Sequence, residues 1–345
     1  MTIVTALLVI AIIVMVHEIG HFVAAKWQGV EVQEFSIGFG PSLIGIKRGE
    51  TRYSLRLLPL GGFVRMAGMG AQDEDQDNPQ GFNRKTPLQK VEVLAAGPGM
   101  NFLLAALIFV YTFTFVGIPH AVESPVIGEV IQGKPAYEAG LRAQDRVVSV
   151  NGENISTWNE FVAEVRKAEP GQPISMTVVR NGQKIELTVR PEFDREQKTS
   201  IIGVRQTIEF ERVGIWDGLK LGFYQTFHIT WLLLSGLGQL LTGAASSADL
   251  AGPVGITRMI GDAAEGGLVY LANFTALLSI NLGILNLLPI PALDGSRIVF
   301  AVIEGIRRKP VEPERENFIH FLGFVFLMVL ILLVTYNDIV RLVRG

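Results

Sequence analysis

No cysteine occurs in the 345 residues, which excludes disulfides, thiolate nucleophiles and thiolate metal ligands. Charge is sparse as well. Asp, Glu, Lys and Arg make up only 18% of the chain and balance to a net −3, so there is no basic footprint for nucleic acid. No Lys or Arg precedes Lys26, and no small-residue cleavage site follows the first apolar run, so a secretory signal peptide is not the expected reading. Internal repeats of the kind that mark secondary transporters are missing too. What is present is apolar: 49% of residues are hydrophobic, arranged as long lipid-compatible stretches around a mixed-charge middle.

As one helix, residues 3–25 would extend roughly 34 Å, enough to cross a bilayer. Because the first positive charge follows this run, the positive-inside rule puts the N-terminus outside and residue 26 in the cytoplasm. Residues 1–30 are therefore expected to be a retained first transmembrane helix. Residues 31–90 change to short alternating segments separated by Gly and basic residues, a cytoplasmic, membrane-associated β region, with an acidic solvated loop at 71–85. A second crossing is predicted over 91–118, loosened near its start by Ala96-Gly-Pro-Gly99. Residues 124–208 have ordinary mixed composition. They are read as a short helix and a strand ending at Asn151-Gly152, a helix over 157–168, and strands 174–180 and 184–190 around the Asn181-Gly182 hairpin signal. An amphipathic interfacial segment is expected over 213–265, a third crossing over 268–296, a cytoplasmic loop over 297–317 and a fourth crossing over 318–338. Parity supports this choice. If 215–243 lies on or only partly into the external membrane surface, helix 268–293 runs inward, and Arg307, Arg308 and Lys309 stay cytoplasmic.

The first apolar helix is interrupted by His17-Glu18-Ile-Gly-His21. Three ionisable groups in a lipid-facing run are costly and mark a functional site. Four residues apart, the two histidines share a helix face and can reach one zinc ion, with Glu18 where metalloproteases keep a general base. A catalytic zinc needs a third protein ligand. The candidate is Asp294, a carboxylate at the end of an apolar helix after Pro289 and Pro291. His228 and His320 are read as packing or interfacial histidines, and Asn101 and Asn281 as polar contacts between helices.

Two resemblances follow. Pro135-Ala-x-x-Ala-Gly-Leu141, Asp145 and Val150-Asn-Gly152 resemble the pattern of a bacterial protease PDZ domain, present once. His17-Glu-x-x-His21 within the first membrane helix, paired with Asn286-x-x-Pro-x-Pro-x-Leu-Asp-Gly295, resembles the site-2 protease family of intramembrane metalloproteases. Gly61-Gly-Phe-Val-Arg-Met66 and Ala96-Gly-Pro-Gly-Met-Asn-Phe102 look like its bacterial RseP/RasP-like branch. The resemblance implies a multi-pass α-helical membrane protein with about four transmembrane helices, a membrane-associated β-hairpin region and one inserted α+β PDZ domain. It implies Zn2+ on His17, His21 and Asp294, Glu18 as the catalytic base, and Asn286 holding the substrate backbone or the oxyanion. Residues 35–66 would present a sheet edge to an unwound substrate helix. The implied substrates are single-pass transmembrane proteins such as an anti-sigma factor or signal-peptide remnants. The implied location is the lipid bilayer of a bacterial inner membrane, with the PDZ domain, and any peptide ligand it takes, on the external side. Ser296 departs from the family's usual Gly at that place. Two other readings compete: a non-proteolytic PDZ-containing binder, which should have lost Glu18 or a ligand, and a metal-ion transporter, which does not call for a PDZ domain.

Overall fold

A computed structural model describes residues 2–69, 77–194, 199–243 and 251–344. Residues 71–76 of the expected acidic loop lie outside the described residues. The chain forms two compact units, Met1–Thr114 with Gly214–Gly345, and Phe115–Val213.

In the first unit, helix α1 (Thr2–Trp27) buries Ala6, Val9, Ile13, His17, Gly20 and His21, a stripe at helical spacing. Its other faces expose Ile3, Val4, Leu8 and Ile12. A helix apolar on buried and exposed faces alike is suited to lipid rather than water. Strands β1 (Val32–Arg48) and β2 (Thr51–Met66) follow. Register shifts divide them. Residues 42–48 pair with 51–56 as a hairpin, while Phe35 faces Val64 on one side and Tyr53 on the other. The 62–66 segment therefore pairs with 32–37 alone and forms one edge of the sheet. Arg56 clasps this sheet, donating to Glu34 at 2.7 Å and to the Gly40 carbonyl at 2.7 Å. Burial pushes the Glu34 carboxyl up, but hydrogen bonds from Ser54 and Arg56 outweigh it and hold the group below its ordinary range.

Helix α2 (Pro87–Tyr111) opens on a reciprocal capping box between Thr86 and Gln89, with Pro87 in the first turn. These starting signals explain why it begins four residues before the expected 91. Pro98 inside it lacks the N–H that would bond the Leu94 carbonyl, so that carbonyl has no intrahelical donor of the usual kind.

The second unit contains β3 (Ile118–Ala121), β4 (Ile127–Val130), α3 (Pro135–Glu138), β5 (Arg146–Val150), β6 (Glu153–Asn154) and α4 (Trp158–Lys167). It continues with β7 (Ile174–Arg180), β8 (Gln183–Val189), β9 (Glu192–Asp194), β10 (Thr199–Ile201), β11 (Val204–Gln206) and β12 (Ile208–Glu211). A four-stranded sheet ordered β6-β5-β7-β8 carries the core, in which Ile127, Val147, Phe161, Ile174, Met176 and Val178 are buried. Both Asn-Gly turns take the left-handed conformation that such hairpins require, with φ of 50° at Asn181 and 80° at Gly182. Asp145, wholly buried, is held by a two-pronged Arg180 contact at 2.7 Å and 2.7 Å and by the Arg142 N–H.

Back in the first unit come α5 (Ile215–Leu241), α6 (Pro253–Glu265), α7 (Leu268–Leu287), α8 (Asp294–Arg307) and α9 (Pro313–Arg344). Contacts fix the helix directions. Ala25 meets Val93, Gly20 meets Ala96 and Met100, and Val9 and Ile13 meet Leu104, so α1 and α2 run antiparallel. Gly283 packs on Pro98 and Phe102 while Ala276 joins Ala105 and Phe109, so α7 also opposes α2 and runs parallel to α1. The two helices thus end at the same level. Helix α5 lies lengthwise on α2, with Gly218 at Thr114 and Gly222 at Val110 and Ala106. The amphipathic interfacial segment expected over 213–265 thus contains two helices, α5 and α6, the first of them packed along α2.

Among the described residues four helices are long and apolar enough to cross a membrane: α1, α2 with its extension to Val116, α7 and α9. The third helix ends at Leu287 instead of continuing to 296, because Pro289 and Pro291 cannot supply helical N–H groups. Asp294 starts a new helix, and α8 occupies much of what was expected to be loop 297–317.

Candidate metal centre

His17 and His21 project from one face of α1, and Asp294 reaches them from the first turn of α8. Asp294 Oδ2 lies 3.1 Å from His17 Nε2 and 3.2 Å from His21 Nε2, and the two Nε2 atoms are 3.1 Å apart. Tetrahedral zinc with bonds of about 2.0 Å needs donors roughly 3.3 Å from one another, so this triangle matches one face of such a site. Both histidines are buried, and these three groups are the ones among the described residues whose ligand atoms converge.

The surroundings prepare the donors. His21 Nδ1–H donates to the Val93 carbonyl at 2.9 Å, which leaves the Nε2 lone pair facing the centre. His17 Nδ1 lies 3.3 Å from the side-chain amide of Asn101, which is wholly buried and whose Oδ1 has no partner. A half-turn of that amide gives His17 Nδ1–H its acceptor and frees Nε2 in the same way. Gly97 makes the room: a Cβ there would stand 2.4 Å from His21 Nε2 and 2.9 Å from His17 Cε1. The donor set, its tautomers and this cradle all fit zinc.

Glu18 is half-buried, one residue after the first histidine, and its carboxylate accepts a hydrogen bond from the Val64 backbone N–H. Gly62 approaches the same side chain; its Cβ position is 3.8 Å from Glu18 Cγ. The sheet edge 62–66 therefore runs beside the glutamate. The start of α8 is fixed independently. Gly295 packs so closely that a Cβ would meet the Leu288 carbonyl at 2.2 Å, and buried Lys90 donates to Glu304 at 2.7 Å and 2.9 Å. Ser296 sits in α8 and donates to the Leu293 carbonyl at 2.8 Å, so this position makes no use of a glycine's freedom. Asn286 is half-buried in the last turn of α7, and none of the hydrogen bonds joining the three donors runs to it.

Asn101 is the site residue that sequence reading assigned only to helix packing. A signal was available: it lies four residues after Gly97, on the same face of a helix whose glycine admits the histidines.

Comparison with known proteins agrees with this chemistry. Residues 5–330 match peptidase family M50. The zinc metalloprotease RasP of Geobacillus kaustophilus is 36% identical, covering 98% of this chain and 97% of the relative. The regulator of sigma-W protease RasP of Bacillus subtilis is 33% identical, covering 99% of each. Among solved structures, the PDZ domain of an SdrC-like protein from Listeria monocytogenes is similar at 15% identity and a TM-score of 0.23, covering 26% of this chain and 92% of that one. With a family match over nearly its whole length and relatives above 30% identity, the chain belongs to peptidase family M50, and it is a membrane zinc metalloprotease.

Proposed function

We propose that the chain is an intramembrane endopeptidase that cuts transmembrane segments of single-pass proteins, with His17, His21 and Asp294 holding zinc and Glu18 as general base. The observation that carries this reading is the convergence of the three donors, two of them inside a helix otherwise built for lipid. Bound there, zinc supplies a Lewis acid and lowers the pKa of water toward ~7. The rest falls to the chain. A peptide bond in a substrate helix is shielded by its own hydrogen bonds, and lipid offers no water to replace them. The 62–66 edge offers backbone groups to which an unwound substrate can add as a strand. That registers the scissile bond beside Glu18, which the Val64 N–H orients. Glu18 takes the proton of the attacking water and returns it to the leaving amine nitrogen. Asn286, from α7, would hold the substrate backbone or the oxyanion.

The second unit is proposed as a PDZ domain on the external side, filtering substrates by the size of their external parts. The Bacillus subtilis relative's name ties it to sigma-W regulation. It supports membrane-anchored regulators of transcription as the substrate class, alongside signal-peptide remnants. The test is Glu18→Gln. It is expected to keep zinc at wild-type stoichiometry and to lose cleavage of a model transmembrane substrate. Full activity in this variant would remove Glu18 from its role. Membrane stubs that accumulate with the variant, identified by mass spectrometry, would name the substrates.

A further inference from the structure

The carboxylate of Asp294 is carried by a turn in an unfavourable conformation. Ile290-Pro291-Ala292-Leu293 is closed by Leu293 N–H donating to the Ile290 carbonyl at 3.1 Å. Proline in second place and φ of 78° in third are the pattern of a type II turn. Glycine normally fills that third place, because a Cβ is disfavoured at positive φ. Here the residue is Ala292, two positions before Asp294. Such strain persists only where the surroundings over-determine it.

The surroundings belong to α9. His320 Nδ1 accepts the Ala292 backbone N–H at 2.9 Å, which is the outward-facing donor of the turn. One turn of helix further, Gly323 receives Pro291; a Cβ there would stand 2.2 Å from the proline Cβ and 2.5 Å from its carbonyl oxygen. The ring of His320 is fixed in turn by Phe300 of α8, edge to face at 5.8 Å. We propose that His320 and Gly323 act as a brace which holds the strained turn, and through it Asp294, in the geometry a metal requires. His320 makes its contacts with Ala292, Phe300 and Glu316 and with none of the three donors, so it is a positioning residue.

This rests on Asp294 being a zinc ligand, and the experiment separates the two ideas. Zinc release from the full-length, zinc-loaded enzyme to a chromophoric chelator is measured for wild type, His320→Leu, His320→Asn, Ala292→Gly, Ala292→Gly with His320→Leu, and Asp294→Ala. Removing an outer support of this kind lowers metal affinity roughly 10–100-fold. His320→Leu is therefore expected to release zinc about tenfold faster or more. His320→Asn, whose side-chain oxygen replaces Nδ1 as acceptor, should remain near wild type. Placing Gly at 292 removes the strain, so the double variant should recover most of the loss. If Asp294→Ala releases zinc rapidly while His320→Leu matches wild type, the brace is wrong and the ligand assignment stands. If Asp294→Ala holds zinc as wild type does, the ligand assignment itself fails. Melting temperatures of the zinc-free proteins complete the test. A loss in His320→Leu as large without zinc as with it, unrelieved by Gly at 292, would mean general packing and overturn the proposal.

Discussion

Gly97 faces the two imidazoles so closely that a single methyl group would occupy the space where their donor atoms converge. Gly97→Ala is therefore expected to leave a folded protein with less than stoichiometric zinc, as metal analysis of the purified enzyme can check. Wild-type zinc content would show that the helices move apart easily. The two histidines and Glu18 could be read from spacing alone, because period 3.6 puts residues 17 and 21 on one face. Asp294 was legible for a different reason, as an acidic group following two prolines at the end of an apolar run. Asn101 was signalled only by its spacing from Gly97, and His320 and Ala292 were not legible as parts of the site. Their roles depend on which helix faces meet across the bundle, and on one positive φ that alanine does not advertise.

The sheet edge at 62–66 and the buried Asp145 make claims about whole elements. Val64 sits on the edge strand with its N–H turned to Glu18 and away from β1. Proline is tolerated where the N–H does not join a ladder. Val64→Pro should keep the sheet and the zinc but slow substrate cleavage by roughly 10-fold or more, the scale of lost transition-state positioning. Cleavage at the wild-type rate would exclude this edge from substrate binding. In the second unit, Asp145→Ala strands the Arg142 N–H and leaves the partly exposed Arg180 with only its Gly140 carbonyl acceptor, and losing a hydrogen bond to a charged group typically costs about 1.5–3 kcal/mol. A loss of that size in chemical unfolding of the second unit's transition is the expected result; under 1 kcal/mol would mean the pair is replaceable. The second unit's strands were readable from alternation and from Asn-Gly turns. The true length of β1 and β2 was not, since bulges and doubled register break the period-two pattern. Helix ends moved for local reasons: a capping box advanced α2, and prolines cut α7 short.

At the scale of the molecule, the first unit exposes long apolar side chains along α1, α5 and α9, as expected of a lipid-facing bundle. The lack of cysteine makes its proposed orientation easy to test, because any introduced thiol is unique. Glu153→Cys in the second unit should react with a membrane-impermeant maleimide on intact cells, and Glu50→Cys at the β1–β2 turn only after permeabilisation. Equal labelling would overturn the sidedness. The four long apolar helices were legible from hydropathy; the packing of α5 against α2 was not, because its apolar and polar residues are mixed along its length. The donor triangle also has a consequence in time. Its members are separated by up to 277 residues of chain. At synthesis rates of 5–20 residues per second, about 14–55 s pass between the making of the histidine pair and of its carboxylate. A nascent chain halted before α8 has a membrane anchor and a complete second unit but no third donor. On the proposed ligand set, the zinc site therefore cannot be completed until nearly the whole bundle has been made.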